Sequence, residues 1–337
     1  MALTTPSYDR IRRSLSVKGV LGFGGNGVHH LEGTGFPRSG TTYGDGYGYA
    51  GKGSTYHDRT RGTHWINTGS ASAPYWQPAG YDQPGMWGFQ SDFRETQATA
   101  LSDTTAKLIQ AAAGYRIFGD GTAQNDGGAL QGTMVEGGTP LRMTASATVP
   151  GLAAIGMPEI SGAGPYQPDQ HGMGIMEAYV TQVSAITLRA MGIGFVGLAA
   201  DGMVLPVTAA TTVATLVQDD LALMHFDVGY TATSEFKLAS NKSDEAATMT
   251  AQATGVVCAA AATAQLLRVE VYPDRNDATK VRMVAFVNKA QVGTIADALD
   301  EDEEANPVLY IASTSAAIKA MDVFRVAFVT GRLTDAA

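Results

Sequence analysis

The sequence has very little cysteine and little charge. Cys258 is the single cysteine in 337 residues, so an intramolecular disulfide is impossible. It lies in the apolar run VVCAAAA, which is typical of a buried, unreactive thiol rather than a nucleophile. Charged residues make up 16% of the chain, against about a quarter in an average globular protein. Stability must therefore come from packing and association rather than from cross-links.

Long hydrophobic runs and basic clusters are also missing. The longest weakly polar stretch, residues 253–267, is shorter than the roughly 20 apolar residues that a membrane-spanning helix needs. The N-terminus has no apolar signal segment. The net charge of −9 argues against a protein that coats nucleic acid, because phosphate binding requires basic patches. We expect a protein that is made in the cytoplasm and binds neither membrane nor nucleic acid.

Glycine is abundant in the first half of the chain, where 30 of the 40 glycines lie within the first 170 residues. The stretch 19–53 is the richest and interleaves glycine with Phe23, Tyr43, Tyr47 and Tyr49. Ordering such a chain costs much backbone entropy. The stretch is therefore either a flexible linker or an arm that is ordered against neighbouring subunits. Its aromatic content favours the arm, since disordered linkers are poor in aromatic residues.

Residues 53–76 contain two short aromatic segments, STYHD and THWIN, joined by a Gly-containing turn. This pattern predicts a β-hairpin. The hairpin and the segment after it supply the interaction residues that we predict, which are Tyr56, Trp65, Tyr75, Trp76 and Trp87. Such rings anchor protein interfaces, stack on sugars, or form a small core beneath the arm. The sequence leaves these three roles open.

One helix is predicted, over residues 99–113, with Ser102 and Asp103 at its start and Gly114 at its end. From residue 115 onward, hydrophobic residues alternate with polar ones, which predicts half-buried antiparallel strands. The strand-like segments are YRIFG, LRMTAS, GIMEAYV, IGFVGLA, LALMHFDVGY, SEFKLAS, LLRVEVY, VRMVAFVN, VLYIAST and MDVFRVAFV. Many strands at regular spacing indicate a β-sandwich.

Alternation also predicts which side chains share a face of the sheet. In LLRVEVY, Leu267, Val269 and Val271 lie on one face, with Arg268, Glu270 and Tyr272 on the other. In DVFRVAFV, Phe324, Val326 and Phe328 are predicted to line one face.

No motif of the sequence predicts a cofactor or a catalytic centre. Residues 22–27 match G-x-G-x-x-G, but glycines and a proline follow where a dinucleotide site needs a helix. His29, His30 and Glu32, or His57, Asp58 and His64, lack the spacing of metal sites. The acidic run 300–304 is read as a solvated loop rather than a calcium site.

Hydrolases built on β-sandwiches need paired carboxylates, and we expect none here. Retaining glycosidases hold two acids about 5–5.5 Å apart. In this sequence no two acids alternate on one strand face, since Glu270 is followed by Tyr272, while Glu177 and Asp322 stand alone. We therefore predict that the protein is not an enzyme and has no cofactor or metal.

Two parts of the sequence resemble known families. The hairpin pattern Y-x-D…G-T-x-W-x-N-T-G…P-x-W resembles a module of tailed-bacteriophage structural proteins. The segments ITLRAMGIGFVGLA, LLRVEVYPD…TKVRMVAFVNKAQVGTI and MDVFRVAFV resemble the concanavalin-A-like jelly roll. The likeness spans about residues 86–333, with Asn288-Lys289 in place of the family's usual Asn-Gly turn. It implies an all-β fold, with a Gly-rich arm and hairpin over 1–85 and a jelly-roll sandwich over 86–333.

The same resemblance implies a phage head decoration (cement) protein, located on the capsid exterior and bound through the arm to the major capsid protein and to neighbouring copies of itself. A homotrimer is the expected oligomer. The alternative is a head-fibre or receptor-binding protein that uses the sandwich as a carbohydrate-binding lectin.

Overall fold

The chain divides into two compact units, Met1–Trp87 and Gly88–Ala337. The predicted boundary, between residues 85 and 86, lies two residues earlier. The computed structural model describes residues 20–23, 27–42, 44–81, 83–92, 99–100, 108–110, 116–118, 129–132, 141–145, 151–156, 166–183, 189–197, 205–210, 213–216, 220–230, 234–242, 248–260, 263–274, 277, 279–314 and 319–331.

The described residues of the first unit form one five-stranded sheet in the order β1-β2-β3-β4-β5. Its strands are β1 (Val20–Phe23), β2 (Val28–Gly33), β3 (Thr55–Asp58), β4 (Thr63–Asn67) and β5 (Trp76–Pro78). The predicted hairpin is confirmed, since β3 and β4 pair antiparallel with Thr55 opposite Ile66. The Gly-rich stretch before it supplies β1 and β2, and β2 pairs parallel with β3. The described strands of that stretch are therefore folded within their own unit rather than only extended.

The predicted all-β fold with an antiparallel jelly-roll sandwich is confirmed for the described residues from Met86 onward. Its strands are β6 (Met86–Ser91), β7 (Thr99–Ala100), β8 (Leu108–Gln110), β9 (Arg116–Phe118), β10 (Ala129–Gly132), β11 (Leu141–Ala145), β12 (Gly151–Gly156), β13 (Gly174–Gln182), β14 (Arg189–Gly197), β15 (Val207–Ala210), β16 (Val213–Leu216), β17 (Leu221–Asp227), β18 (Glu235–Asn241), β19 (Thr248–Thr250), β20 (Gln252–Val257), β21 (Ala264–Pro273), β22 (Val281–Val287), β23 (Ala290–Ile295), β24 (Ala305–Ser313) and β25 (Lys319–Gly331).

Two large sheets form the sandwich. In the described part of the chain, sheet I has the order β23-β22-β21-β13-β25-β11-β10-β7, with β6 also pairing β25. Sheet II has the order β20-β18-β17-β14-β24-β12-β9-β8. Side chains of the two sheets meet in the core, where the rings of Phe195 in β14 and Phe328 in β25 lie 6.1 Å apart. At the centre of each sheet, the paired strands β21-β13-β25-β11 and β14-β24-β12 are far apart in sequence, so the middle of the sandwich is held by long-range pairing.

A third, small sheet of the described residues has the order β15-β16-β19 and covers the outer face of sheet II. Val207, Ala214 and Leu216 of this cover sheet join one hydrophobic cluster with Leu221 and Leu223 of β17. Sheet II is thus buried on both faces here, which explains why β17 reads LALMHFD, an almost continuous apolar run without alternation.

The predicted helix over residues 99–113 is wrong in the part that the structure describes. Thr99–Ala100 and Leu108–Gln110 are strands, and Leu108–Gln110 pairs with β9. Pairing with a neighbouring strand has overridden the local helix propensity. The helix found among the described residues is α1 (Pro168–His171), and no described helix is long and apolar enough to cross a membrane.

Candidate functional site

The predicted interaction residues of the first unit lie mostly in its interior. Trp65, Tyr75 and Trp76 are fully buried and Tyr56 is nearly so, whereas Trp87 is half-buried. The structure thus places four of the five rings in a small core. A binding partner cannot reach these four rings in the single chain, because packing inside the unit already covers them.

Ring contacts and indole hydrogen bonds hold this core together. Trp65 packs against Phe36 with 4.7 Å between ring centroids, and Tyr56 packs edge-on against Trp76 at 5.9 Å. The indole nitrogen of Trp76 donates to the carbonyl oxygen of Asp45 at 2.9 Å. Buried Trp needs such a partner for its N–H group.

A buried asparagine fixes the loops around the core. The Nδ2 group of Asn67 donates to the carbonyl oxygens of Ala50 at 2.5 Å and Gly51 at 3.3 Å. Its Oδ1 atom accepts from the backbone N–H groups of Gly69 at 2.9 Å and Tyr75 at 2.8 Å. Each polar group of this side chain is therefore satisfied, as a buried amide requires.

The site that the sequence did not predict lies on the outer face of sheet I, at a β-bulge between β13 and β25. Tyr179 lies opposite Arg325 but the next residue, Val180, lies opposite Val323, so Phe324 is an extra residue in β25. Bulges re-aim side chains and are frequent beside functional sites. Here Phe324 packs on Tyr179 with 5.5 Å between ring centroids. Tyr179 is 40% exposed.

The bulge corrects the predicted face assignment of β25. Phe324 does not share a face with Val326 and Phe328, which are buried in the core, whereas Phe324 is half-buried on the outer face. One inserted residue shifts the alternation by one position. By contrast, the assignment for β21 is confirmed, because Leu267 and Val269 lie opposite core residues Ala178 and Met176 of β13.

A row of four charged side chains lies on this outer face, from buried positions on β21 to the partly exposed bulge in β25. Arg268 Nη2 lies 2.6 Å from Glu270 Oε1, and Arg268 Nη1 lies 3.5 Å from Glu177 Oε2. Arg325 Nη2 donates to Glu177 Oε1. The side chains of Glu270, Arg268 and Glu177 are at most 2% exposed, while that of Arg325 is 29% exposed. We call Tyr179, Phe324 and Arg325, with these three charged residues behind them, the bulge site.

The bulge site also brings together two carboxylates from different strands, which alternation along a single strand does not reveal. Glu177 and Glu270 lie on neighbouring strands and share one face of sheet I. However, Arg268 stands between them and contacts both. A glycosidase needs room for a sugar between its two acids, so this arrangement is an ion-pair network. Buried charges of this kind require pairing, and the network fixes Arg325 at the surface.

A second polar cluster is buried between sheet II and the cover sheet. His225 Nε2 and Tyr230 Oη share a hydrogen bond of 2.9 Å. Asp227 accepts from the N–H groups of Ala209 in β15 at 3.1 Å and of Gly229 at 2.8 Å. Burial, with Lys237 nearby, lowers the pKa of His225 from 6.5 to about 3, so this histidine is neutral. Burial raises the pKa of Asp227 and that of Tyr310, whose pKa the charge of Asp227 raises further.

This buried cluster has no surface opening through its own side chains, because His225, Asp227, Tyr230 and Tyr310 are all buried. It is therefore a structural element that ties the cover sheet to sheet II. Tyr310 also explains a glycine of the neighbouring strand, since its ring lies over Gly192, where a Cβ atom would be 2.5 Å from the ring.

Among the described residues, no group of three or more His, Cys, Asp or Glu side chains is arranged to hold a metal ion. His57 and His64 stack face to face with ring centroids 4.5 Å apart rather than converging on a point. In the acidic run, Asp300 pairs with Lys242 at 3.5 Å, and the same lysine pairs with Asp297 at 3.3 Å.

Several solved structures have a similar chain course. The carbohydrate recognition domain of Emp47p has 10% identity and a TM-score of 0.42, and the match covers 72% of this chain and 97% of that domain. A protein of unknown function from Shewanella oneidensis MR-1 has 12% identity and a TM-score of 0.45, covering 75% of this chain and 90% of that one. Peanut lectin has 10% identity and a TM-score of 0.36, covering 70% and 98%.

No protein-family model matches the sequence, and no curated protein sequence is similar to it.

Proposed function

We propose that this protein is a non-catalytic binding protein whose sandwich binds carbohydrate at the bulge site. The observation that carries the proposal is the exposed ring of Tyr179, packed on Phe324 and lying directly across the strand pair from Arg325. Ligand sites combine apolar rings with a few well-placed polar groups. A sugar fits such a site because its C–H face packs on a ring while its hydroxyl groups need hydrogen-bond partners at the ring's edge.

The site is rigid before any ligand binds. Tyr179 lies on β13, which has a paired strand on each side, β21 and β25. Glu177, two residues earlier on β13, holds Arg325 from behind and is itself held by Arg268. A binding surface that is already ordered loses little conformational entropy on binding.

The proposal is tested by screening the full-length protein on a glycan array and measuring any hit by calorimetry. Tyr179→Ala removes the exposed ring and should weaken binding by roughly 10-fold, since an aromatic contact contributes about 0.5–1.5 kcal/mol beyond the area that it buries. Tyr47→Ala is the matched control, because it removes another exposed tyrosine, which lies in the first unit. Carbohydrate binding that survives Tyr179→Ala unchanged contradicts the proposed site.

A second candidate function concerns the first unit, for which we propose attachment to a larger protein assembly. Three large apolar side chains are exposed there, Tyr47, Tyr49 and Ile66. Exposed tyrosines are frequent anchors of protein interfaces. In this proposal the attachment residues are Tyr47, Tyr49 and Ile66 rather than the buried rings. Such attachment is compatible with a trimeric decoration protein or head fibre on the exterior of a phage capsid, where it would contact the major capsid protein.

Co-sedimentation with undecorated capsids tests this second candidate. The full-length protein should bind, and the double substitution Tyr47→Ala with Tyr49→Ala should reduce binding strongly. Tyr179→Ala is the control that leaves the first unit unchanged. If the full-length protein does not sediment with capsids, the decoration function is refuted, and carbohydrate binding by the sandwich is unaffected by that result.

A further inference from the structure

We infer that the carbohydrate bound at the bulge site is acidic, and that Arg325 recognises a carboxylate group on the sugar. This inference rests on the proposed function. It concerns the ligand class, which neither the fold nor the exposed tyrosine specifies.

The first observation is the order of charges along the bulge site. From the interior outward the side chains are Glu270, Arg268, Glu177 and Arg325, so negative and positive charges alternate. Arg268 lies between two carboxylates, and Glu177 lies between two guanidinium groups. Arg325 ends the series at the surface with a carboxylate on one side only. A carboxylate from outside the chain would complete the alternation.

The second observation is the unused hydrogen-bonding capacity of Arg325. A guanidinium group has five N–H donors arranged in a rigid fork. Among the described residues, the hydrogen bond of Arg325 goes from Nη2 to Glu177, and its remaining donors have no protein acceptor. The side chain is 29% exposed, so these donors face solvent. The fork matches the two oxygens of a carboxylate, a pairing stronger than a neutral hydrogen bond.

The third observation is the position of Arg325 relative to the exposed ring. Arg325 and Tyr179 are direct cross-strand neighbours, and the extra residue Phe324 supports the ring from the side. Side chains directly opposite each other lie about 5 Å apart at Cβ. A sugar ring resting on Tyr179 therefore reaches the guanidinium group with a substituent one bond outside the ring. Asp322, further along β25 and opposite Thr181, has a partner of its own.

The test is a matched pair of ligand sets on the full-length protein. One set contains oligosaccharides with uronic or sialic acid residues, and the other contains the same oligosaccharides after reduction of each carboxylate to an alcohol. We expect the acidic set to bind at least 10-fold more tightly. Arg325→Gln should remove this preference and weaken binding of the acidic set by roughly 10- to 100-fold, the equivalent of one charge-assisted pair. Arg325→Lys should keep part of the preference, because it keeps the charge but loses the fork.

Lys280→Gln is the control, since it removes an exposed cation on the loop between β21 and β22 that pairs with Asp277. Far-UV circular dichroism and the unfolding temperature show whether each variant is folded. Equal binding of acidic and reduced sets, both lost in Tyr179→Ala, refutes the acidic ligand and leaves the proposed function intact. A preference that survives Arg325→Gln refutes the role of Arg325. If neither set binds, the proposed function itself fails.

Discussion

The buried histidine of the sandwich makes the stability of that unit sensitive to acid. The pKa of His225 is about 3 in the folded protein and returns to about 6.5 when the chain unfolds. The folded state favours the neutral form, because the ring is fully buried beside Lys237. The stabilisation is therefore complete above pH 6.5 and is lost progressively as the pH falls toward 3, where the unfolded chain binds a proton that the folded chain does not.

The magnitude follows from the two pKa values. Each pH unit between them costs up to about 1.4 kcal/mol, so lowering the pH from 7 to 5 should reduce the free energy of unfolding by about 2 kcal/mol through His225 alone. Burial raises the pKa of Asp227, so the folded chain binds a proton there more readily than the unfolded chain does. Protonation of Asp227 at lower pH therefore increases the free energy of unfolding, opposite to the effect of His225. Its contribution cancels when two variants that both contain it are compared.

The assay is urea unfolding of the wild type, His225→Gln and His64→Gln at pH 7 and at pH 5. Glutamine does not titrate and offers an amide to Tyr230, the present partner of His225 Nε2. Two of the three tryptophans, Trp65 and Trp76, lie in the core of the first unit, whereas Trp87 lies in β6, which pairs with β25. Tryptophan fluorescence therefore follows mainly the first unit, and far-UV circular dichroism follows mainly the many strands of the sandwich.

His225→Gln should be less stable at pH 7 but should lose about 2 kcal/mol less than the wild type on going to pH 5. His64→Gln, which removes an exposed histidine, should lose as much as the wild type. If His225→Gln shows the same pH dependence as the wild type, the buried neutral histidine is not the cause, and the argument is refuted.

Three further substitutions test the packing. Lys289→Gly should stabilise the β22–β23 hairpin by about 1 kcal/mol, because Lys289 has a φ of 70° that favours glycine. Gly192→Ala should destabilise the sandwich by about 1–3 kcal/mol, since the new methyl group meets the ring of Tyr310 at 2.5 Å. Asn67→Ala should destabilise the first unit by about 2–3 kcal/mol, because it leaves buried backbone groups without their partner.

Urea unfolding measures the change in stability of all three variants, and a different result would contradict each prediction. A less stable Lys289→Gly would show that the turn does not carry backbone strain. An unchanged Gly192→Ala would show that Tyr310 moves aside without cost. If Asn67→Ala shifts the circular dichroism transition of the sandwich but not the tryptophan transition, the asparagine does not act within its own unit.

The turn at Asn288 and Lys289 keeps the backbone conformation of the jelly-roll hairpin although its sequence differs from the family's usual Asn-Gly. Lysine stands where the jelly-roll pattern has glycine, yet both residues have positive φ, 51° and 70°, as a two-residue hairpin turn requires. The N–H of Asn288 donates to the Leu266 carbonyl oxygen at 2.7 Å, and its Oδ1 accepts from the N–H of Leu266 at 2.9 Å. These two bonds hold the turn without glycine.

The sequence by itself determined the class of fold, the hairpin of the first unit and ten of the strands of the sandwich. Alternation in segments such as LLRVEVY is a local property, set by side chains pointing to opposite faces of each strand. It needs no knowledge of which strands are neighbours. The prediction that Leu267, Val269 and Val271 share one face is correct for this reason, although the opposite face, with Arg268 and Glu270, is buried as well.

The tertiary structure alone decided the bulge site. Strand β25 reads as regular, and only its pairing with β13 shows that Phe324 is an extra residue. Glu177 and Arg268 are 91 positions apart, a separation that no local pattern bridges, and they meet because β13 and β21 pair in one register. The helix predicted over residues 99–113 is wrong at the residues that the structure describes, Thr99–Ala100 and Leu108–Gln110, for the same reason, since strand pairing is a long-range interaction that local propensity does not contain.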